Sequence, residues 1–322
     1  MITFTSLIST VALFAAMMIP GFVMGKMRRI HGGAVTTLGN LLSDIAMPAL
    51  VFVKLLETDM NDLDPIALII CILLPAAVIF SLCFISHMVF RPREGDREHA
   101  SARFCAVFSN CGFLGIPLAA ALFPESPQVT LYVSLANVTS TFLLLTLGMN
   151  ILSVGEEKNT KSNVFFALLR PVTLAVMLGF VCSALGLGAA APRLVSYFDT
   201  FSRLTTPLSM TVLGFELSET KPRMLFRDRR VYGVAAMKLA VSPLLSFALL
   251  LVMKQIPVIH ISPELSSAML IATAVSTAAS ASAMARCQGI KGSLAASATL
   301  VNTLLCVITL PLLWLLFDAA LI

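Results

Sequence analysis

An all-α polytopic membrane protein is the fold class that this sequence predicts, with ten transmembrane helices arranged as two inverted five-helix repeats. Three observations lead there. Of the 322 residues 58% are hydrophobic and only 12% charged, with a mean hydropathy of +0.93, whereas soluble domains carry about 25% charged residues. Apolar runs long enough to cross a bilayer recur ten times along the chain. The connections between them alternate between basic and nearly bare.

The ten runs cover approximately 4–25, 35–56, 65–90, 104–123, 128–153, 171–189, 196–217, 231–253, 265–285 and 293–317. Lys26, Arg28 and Arg29 follow span one, and the acidic ETDMNDLD follows span two. Arg91, Arg93, Arg97 and Arg103 follow span three, but only Glu125 follows span four. Lys158, Lys161 and Arg170 follow span five, then Arg193 alone follows span six. Lys221, Arg223, Arg227, Arg229 and Arg230 follow span seven, Lys254 span eight, and Arg286 with Lys291 span nine. The positive-inside rule then puts every basic loop in the cytoplasm and both termini outside. The first run is long enough to span and lacks a basic n-region, so it reads as a helix rather than a cleaved signal.

Residues 154–170, opening GEEKNTKSN, read as a short cytoplasmic linker between a first repeat, 1–153, and a second, 171–322. Span two carries Met47-Pro48-Ala49-Leu50 and span seven Thr206-Pro207-Leu208-Ser209. Span four carries Ser109-Asn110-Cys111-Gly112, and span nine answers with Ser276 to Ser282, STAASAS. Five spans is an odd number, so the second half enters the membrane inverted, which places a binding site near the midplane.

Ser109 to Leu118, SNCGFLGIPL, is the stretch that points to function. An amide, two glycines and a proline halfway across a bilayer are tolerated only where protein or a water-filled cavity covers the freed backbone. Broken helices of this kind line substrate sites in secondary transporters.

The motifs FSNCGFLGIPL, VSTAASASAMARCQG, LVNTLLCVITLPLLWLL and TTPLSMTVLGFEL resemble the auxin efflux carrier family nearly end to end. Its bacterial members are permeases for malate, malonate and similar anions, and its plant members export auxin. The resemblance implies that spans one, two, six and seven form a scaffold, while spans three to five and eight to ten form a transport domain. Helices four and nine would unwind and cross at the substrate site, and transport would be elevator-like. It also implies a bacterial inner membrane and a homodimer through the scaffold. Ser276 and Ser109 stand where family members carry proline, and Ser280 where they carry asparagine. Alanine and serine in a row can remain helical, so a break in span nine is left open, although small side chains still permit a close crossing.

Asn110 both donates and accepts hydrogen bonds, which suits a carboxylate beside Gly112 and freed backbone N–H groups. Ser109, Cys111, Ser276, Thr277 and Ser280 complete the candidate substrate set, although membrane hydroxyls often bond back to their own helix. Asp44, Arg203 and Lys238 are the deepest ionisable groups and the coupling or charge-pair candidates. At about 1.5 Å per residue, Asp44 lies roughly 13 Å from the cytoplasmic side and Arg203 roughly 10 Å from the outer side, so a scaffold salt bridge between them is expected. Lys238 either balances an anion, pairs with Asp44 or snorkels to the cytoplasm, and Lys54 snorkels. Asn137, Thr139 and Thr141 in span five and Asn302 and Thr303 in span ten read as glue between helices rather than substrate path.

The remaining features bound the function. Cys71, Cys83, Cys105, Cys111, Cys182, Cys287 and Cys306 show no CxxC or metal spacing and read as apolar filler, except that Cys111 has a candidate role by its position beside Asn110. The four histidines are scattered, and neither a P-loop nor a Ser-His-Asp set is present, so the chain reads as no enzyme, with no cofactor or metal. A net charge of +5 in short loops gives nucleic acid no docking surface. The function expected is secondary transport of a small organic anion. The alternatives are a sodium-coupled carrier of the bile-acid type and a sensor built on a transporter fold.

Overall fold

The computed structural model describes residues 4–27, 32–58, 63–91, 96–153, 170–219 and 228–321. Most of the predicted linker lies outside these residues, as do Arg28, Arg29, Arg93, Lys158, Lys161, Lys221, Arg223 and Arg227. The described chain is helical, with an isolated antiparallel bridge of extended backbone between Ser109 and Thr277.

Six helical stretches are long and apolar enough to cross a membrane: Leu7–Lys26, Thr36–Glu57, Pro65–Val89, Pro127–Leu152, Arg230–Lys254 and Ser293–Ala320. They coincide within a few residues with predicted spans one, two, three, five, eight and ten. The other four predicted spans are shorter or divided. Span six is the helix Pro171–Ala184, closed by Gly186 at φ 71°. Span four divides into Glu98–Val107 and Cys111–Leu122, and span nine into Pro263–Ala274 and Ala281–Cys287. Span seven departs from expectation. Its first part belongs to a separate helix, Pro192–Ser202, and Thr205–Glu219 starts anew after a turn at Arg203-Leu204. Pro207 then sits in a first turn, where its missing N–H would have had no intrahelical acceptor.

In chain order the α-helices used below are α1 (Phe4–Lys26), α2 (Gly32–Leu41), α3 (Met47–Glu57), α4 (Pro65–Val89), α5 (Glu98–Val107), α6 (Ile116–Leu122), α7 (Pro127–Leu143), α8 (Met149–Leu152), α9 (Pro171–Ala184), α10 (Leu187–Ala190), α11 (Pro192–Ser202), α12 (Thr205–Glu219), α13 (Arg229–Ala236), α14 (Ser242–Lys254), α15 (Pro263–Ala274), α16 (Ala281–Cys287) and α17 (Ser293–Ala320). Among the described residues four π-helical turns interrupt the series: Leu42–Ala46, Cys111–Gly115, Leu144–Gly148 and Met237–Val241. Prolines explain three of them. Pro48, Pro117 and Pro243 each occupy the second residue of the helix that follows a π turn. A proline offers no N–H to the fourth carbonyl back and its ring pushes that carbonyl away. The residue before it then bonds one further back: Met47 N–H to Leu42 O, Ile116 to Cys111 O, and Ser242 to Met237 O. The fourth π turn has no proline but ends at Gly148, where a Cβ would lie 2.8 Å from the Phe104 ring and 2.9 Å from Phe108.

Helix packing follows small residues. A Cβ at Gly214 would lie 1.9 Å from the Met18 carbonyl oxygen and one at Gly21 2.0 Å from that of Thr211, so α1 and α12 meet backbone to backbone. Helix α3 packs against α9 and α11, α4 against α7, α7 against α15, and α5 against α17. The buried core runs through α4, α5, α7 and α15, with Phe104 and Phe108 at its centre beside the bridge.

Candidate functional site

The site is built where two helices stop in mid-course. Helix α5 ends at Val107 and the chain turns extended at Phe108 (φ −93°, ψ 131°), while α15 ends at Ala274 with Val275 extended (φ −70°, ψ 162°). Each loose segment satisfies the other: Asn110 N–H donates to Ser276 O at 2.7 Å, and Ala278 N–H to Phe108 O at 3.0 Å. Span nine thus unwinds without a proline, because the facing segment supplies the hydrogen bonds that its own helix gives up.

The carbonyls at the end of α5 would otherwise be orphans. Phe104 O accepts from Phe108 N–H at 3.1 Å, and Cys105 O from Thr277 Oγ1 at 2.9 Å. Val107 O accepts from the Lys238 ammonium at 3.4 Å. Thr277 Oγ1 in turn accepts from Asn302 Nδ2 at 2.6 Å. Across the crossing Ser242 Oγ donates to Thr273 O at 3.1 Å.

A cavity of about 350 Å³ opens beside this crossing. Of the predicted residues, Ser109, Asn110, Gly112, Ser280 and Asp44 line it. Asn110 is only 4% exposed, and its side-chain Nδ2 has no hydrogen-bond partner. Cys111, Ser276 and Thr277 do not line it: all three are buried behind the wall, with the Cys111 thiol against Val133 O and Thr277 committed to Cys105 and Asn302. Their place is in holding the crossing together.

The charged candidates separate. The expected Asp44–Arg203 salt bridge does not form. Arg203 is exposed and pairs with Asp199 one turn back on its own segment (Nη2–Oδ2 2.7 Å), because the turn before α12 takes it out of the helix that would have aimed it inward. Asp44 instead faces the cavity from the first π turn. Lys238 neither snorkels nor pairs with Asp44: it is 1% exposed and donates to Ser109 Oγ as well as to Val107 O. Lys54 pairs with Glu57 at 2.7 Å.

Sequence reasoning undervalued three groups. Asn137 and Thr141, read as glue, stand on the cavity wall, and a Cβ at Gly112 would lie 3.2 Å from Asn137 Oδ1. That spacing explains why a glycine follows Asn110 and Cys111. Arg170 also reaches the cavity; its signal was a lone base directly before the α9 proline. Asn302 does act as glue, through Thr277. Thr303 bonds back to Thr299 O and lines a second cavity of about 530 Å³, which shares Ser43, Phe113, Ala279 and Ser280 with the first. Three of the four π turns, those starting at Leu42, Cys111 and Leu144, supply walls to the first cavity, and the fourth carries Lys238. Such turns gather at functional sites because they re-aim side chains that a regular helix would point elsewhere.

Outside the membrane, Arg230 clamps the start of α13 to the chain before α5, reaching Asp96 at 2.6 Å and Asp228 at 2.7 Å. Hydrogen bonding to Arg230 holds the Asp228 carboxyl below its ordinary value. Partial burial opposes ionisation of Asp96, but the Glu98 N–H and the Arg230 guanidinium outweigh it and hold that carboxyl low as well. Glu98, the first residue of α5, accepts from Ser293 Oγ at 3.3 Å.

Apolar spans, broken helices and a cavity with polar groups at their crossing define a membrane transporter. The chain belongs to the family described as Membrane transport protein, the auxin efflux carrier family, which matches residues 5–166. Residues 207–321 match the Sodium Bile acid symporter family. Among curated proteins it is 25% identical to an uncharacterized transporter of Methanothermobacter thermautotrophicus, over 74% of this chain and 76% of that one. It is also 25% identical to the lysosomal cholesterol signaling protein of Mus musculus, over 44% of this chain but only 16% of that protein.

Proposed function

We propose that the protein is a secondary carrier for a small organic anion, a mono- or dicarboxylate or an auxin-like acid, bound at the crossing and moved by elevator-type alternating access. The observation that carries this reading is the unpartnered Nδ2 of Asn110 at the wall of a largely apolar cavity that holds a few polar groups. A buried amide donor without a partner costs about 1–3 kcal/mol, so a ligand that accepts from it recovers that cost. Arg170 adds a cation, and the helix that begins at Cys111 aims its positive end at the same space. The cavity volume falls within the range of about 300–1,000 Å³ for small-molecule sites.

Packing supports ten spans in two inverted repeats. The α1–α12 contact joins spans one and seven, and α9–α3 joins their counterparts, six and two. Likewise α7–α15 joins spans five and nine, and α17–α5 joins ten and four. The elevator reading draws on the cavity walls. Ser43, Asp44 and Thr173 come from the proposed scaffold, while Asn110, Asn137 and Ser280 come from the proposed transport domain. A ligand held between the two would be carried as one slid on the other. Both termini outside, a bacterial inner membrane and a homodimer through the scaffold complete the proposal. The exposed apolar face of α9, with Met177, Leu178 and Val181, supplies a surface for lipid or a second copy.

The test is a thermal-shift screen with malate, malonate and indole-3-acetate, with and without sodium, followed by flux into liposomes. A ligand of the folded state raises the melting temperature. The similarity to a signalling protein favours sensing as a second reading. A carrier moves the acid that it binds, whereas binding without flux would replace transport with sensing. No response to any carboxylate would remove the anion assignment.

A further inference from the structure

The Lys238 ammonium sits where a coupling cation would be expected. Carriers with broken helices hold sodium or a proton on unwound carbonyls and on the C-terminal ends of half-helices. Here that position is the end of α5, where Val107 O and Ser109 Oγ converge and the helix dipole is negative. Lys238 reaches it from the π turn Met237–Val241, with its side chain sealed from solvent. No acidic side chain pairs with it among the described residues. A buried ammonium that donates to a carbonyl and a hydroxyl takes up the kind of oxygen ligands that a monovalent ion would use.

We propose that Lys238 is a tethered replacement for the coupling cation, so that the crossing assembles without sodium although residues 207–321 match the Sodium Bile acid symporter family. The inference deepens the carrier reading above, but its test needs no substrate. The ammonium cannot leave, so it holds the unwound end of α5 against the Met237–Val241 turn at all stages. A sodium ion would release that contact each time it dissociated.

The experiment compares melting temperatures of the purified, ligand-free protein in equal concentrations of sodium, potassium and choline chloride, for the wild type and Lys238→Ala. The wild type is expected to melt alike in all three salts. Lys238→Ala exposes the oxygen ligands; it should melt lower, and sodium should raise it by about 2–4 °C relative to choline. A sodium-specific rise in the wild type overturns the proposal, as does a Lys238→Ala protein indifferent to sodium. Should Lys238→Ala fail to fold, amide exchange over residues 105–111 and 276–280 of the wild type decides. Equal protection in sodium and choline supports a tethered cation, and sodium-dependent protection overturns it. Failure of the carrier reading shows separately, as missing flux.

Discussion

Replacing Asn110 with alanine separates binding from folding. Its main chain carries the crossing, through the 2.7 Å bond to Ser276 O and through Asn110 O, which accepts from Leu114 N–H at 3.1 Å. Alanine retains both. The side-chain Nδ2 has no partner in the protein, so truncating it breaks no bond that the ligand-free fold makes through that atom. The ligand-free protein should therefore fall no more than about 0.5 kcal/mol below wild type, and relief of the unpartnered donor can raise it. Binding should suffer far more. A hydrogen bond to a charged group contributes about 1.5–3 kcal/mol, so losing one weakens the dissociation constant by roughly 10- to 150-fold. Asn110→Asp keeps the size, sets a negative charge against an anion and should bind more weakly still. The assay is calorimetric titration of the best carboxylate from the screen, paired with ligand-free melts. Unchanged affinity in Asn110→Ala would refute the site. A ligand-free loss as large as the binding loss would show instead that the amide is a structural staple.

Three further outcomes follow from packing and charge. Gly214→Ala sets a methyl 1.9 Å from Met18 O, which α1 can relieve only by moving off α12; a loss of about 3 kcal/mol or more in denaturant unfolding is expected, and a neutral variant would contradict that contact. Thr277→Val keeps the shape but strands Cys105 O and Asn302 Nδ2, at a cost of about 1–3 kcal/mol, visible as faster amide exchange around residues 105–111. The lowered carboxyls of Asp96 and Asp228 contribute stability that is present above their unfolded values, near pH 4, and lost as the pH falls through the folded ones. Melting temperature should therefore hold from neutral pH down to about 5 and drop below about 4, and Arg230→Met should shrink that drop; an Arg230→Met profile identical to wild type would remove the clamp.

Much of the molecule is legible in one dimension because the determining quantity is a local sum. Hydropathy over some twenty residues marks a span, and six long helices fall where it marks them. The break after Val107 was also local, since an amide and two glycines within three to eight residues of Val107 cannot stay unpaired in hydrocarbon. Span nine was less readable. Its alanines and serines allow either a helix or a break, and the choice was made by Phe108 and Asn110, more than 160 residues away in sequence.

Composition and the order of apolar runs determined by themselves that this is a helical membrane protein with a polar interruption in span four. Tertiary structure alone decided which charge serves which neighbour. Asp44 turns to a cavity and Arg203 to Asp199, while Lys238 finds Ser109 across 129 positions of chain. The physical reason is that burial is additive along a segment, whereas a hydrogen bond needs two atoms at one distance and angle, and in this protein those atoms come from elements that meet only when both halves of the chain are folded.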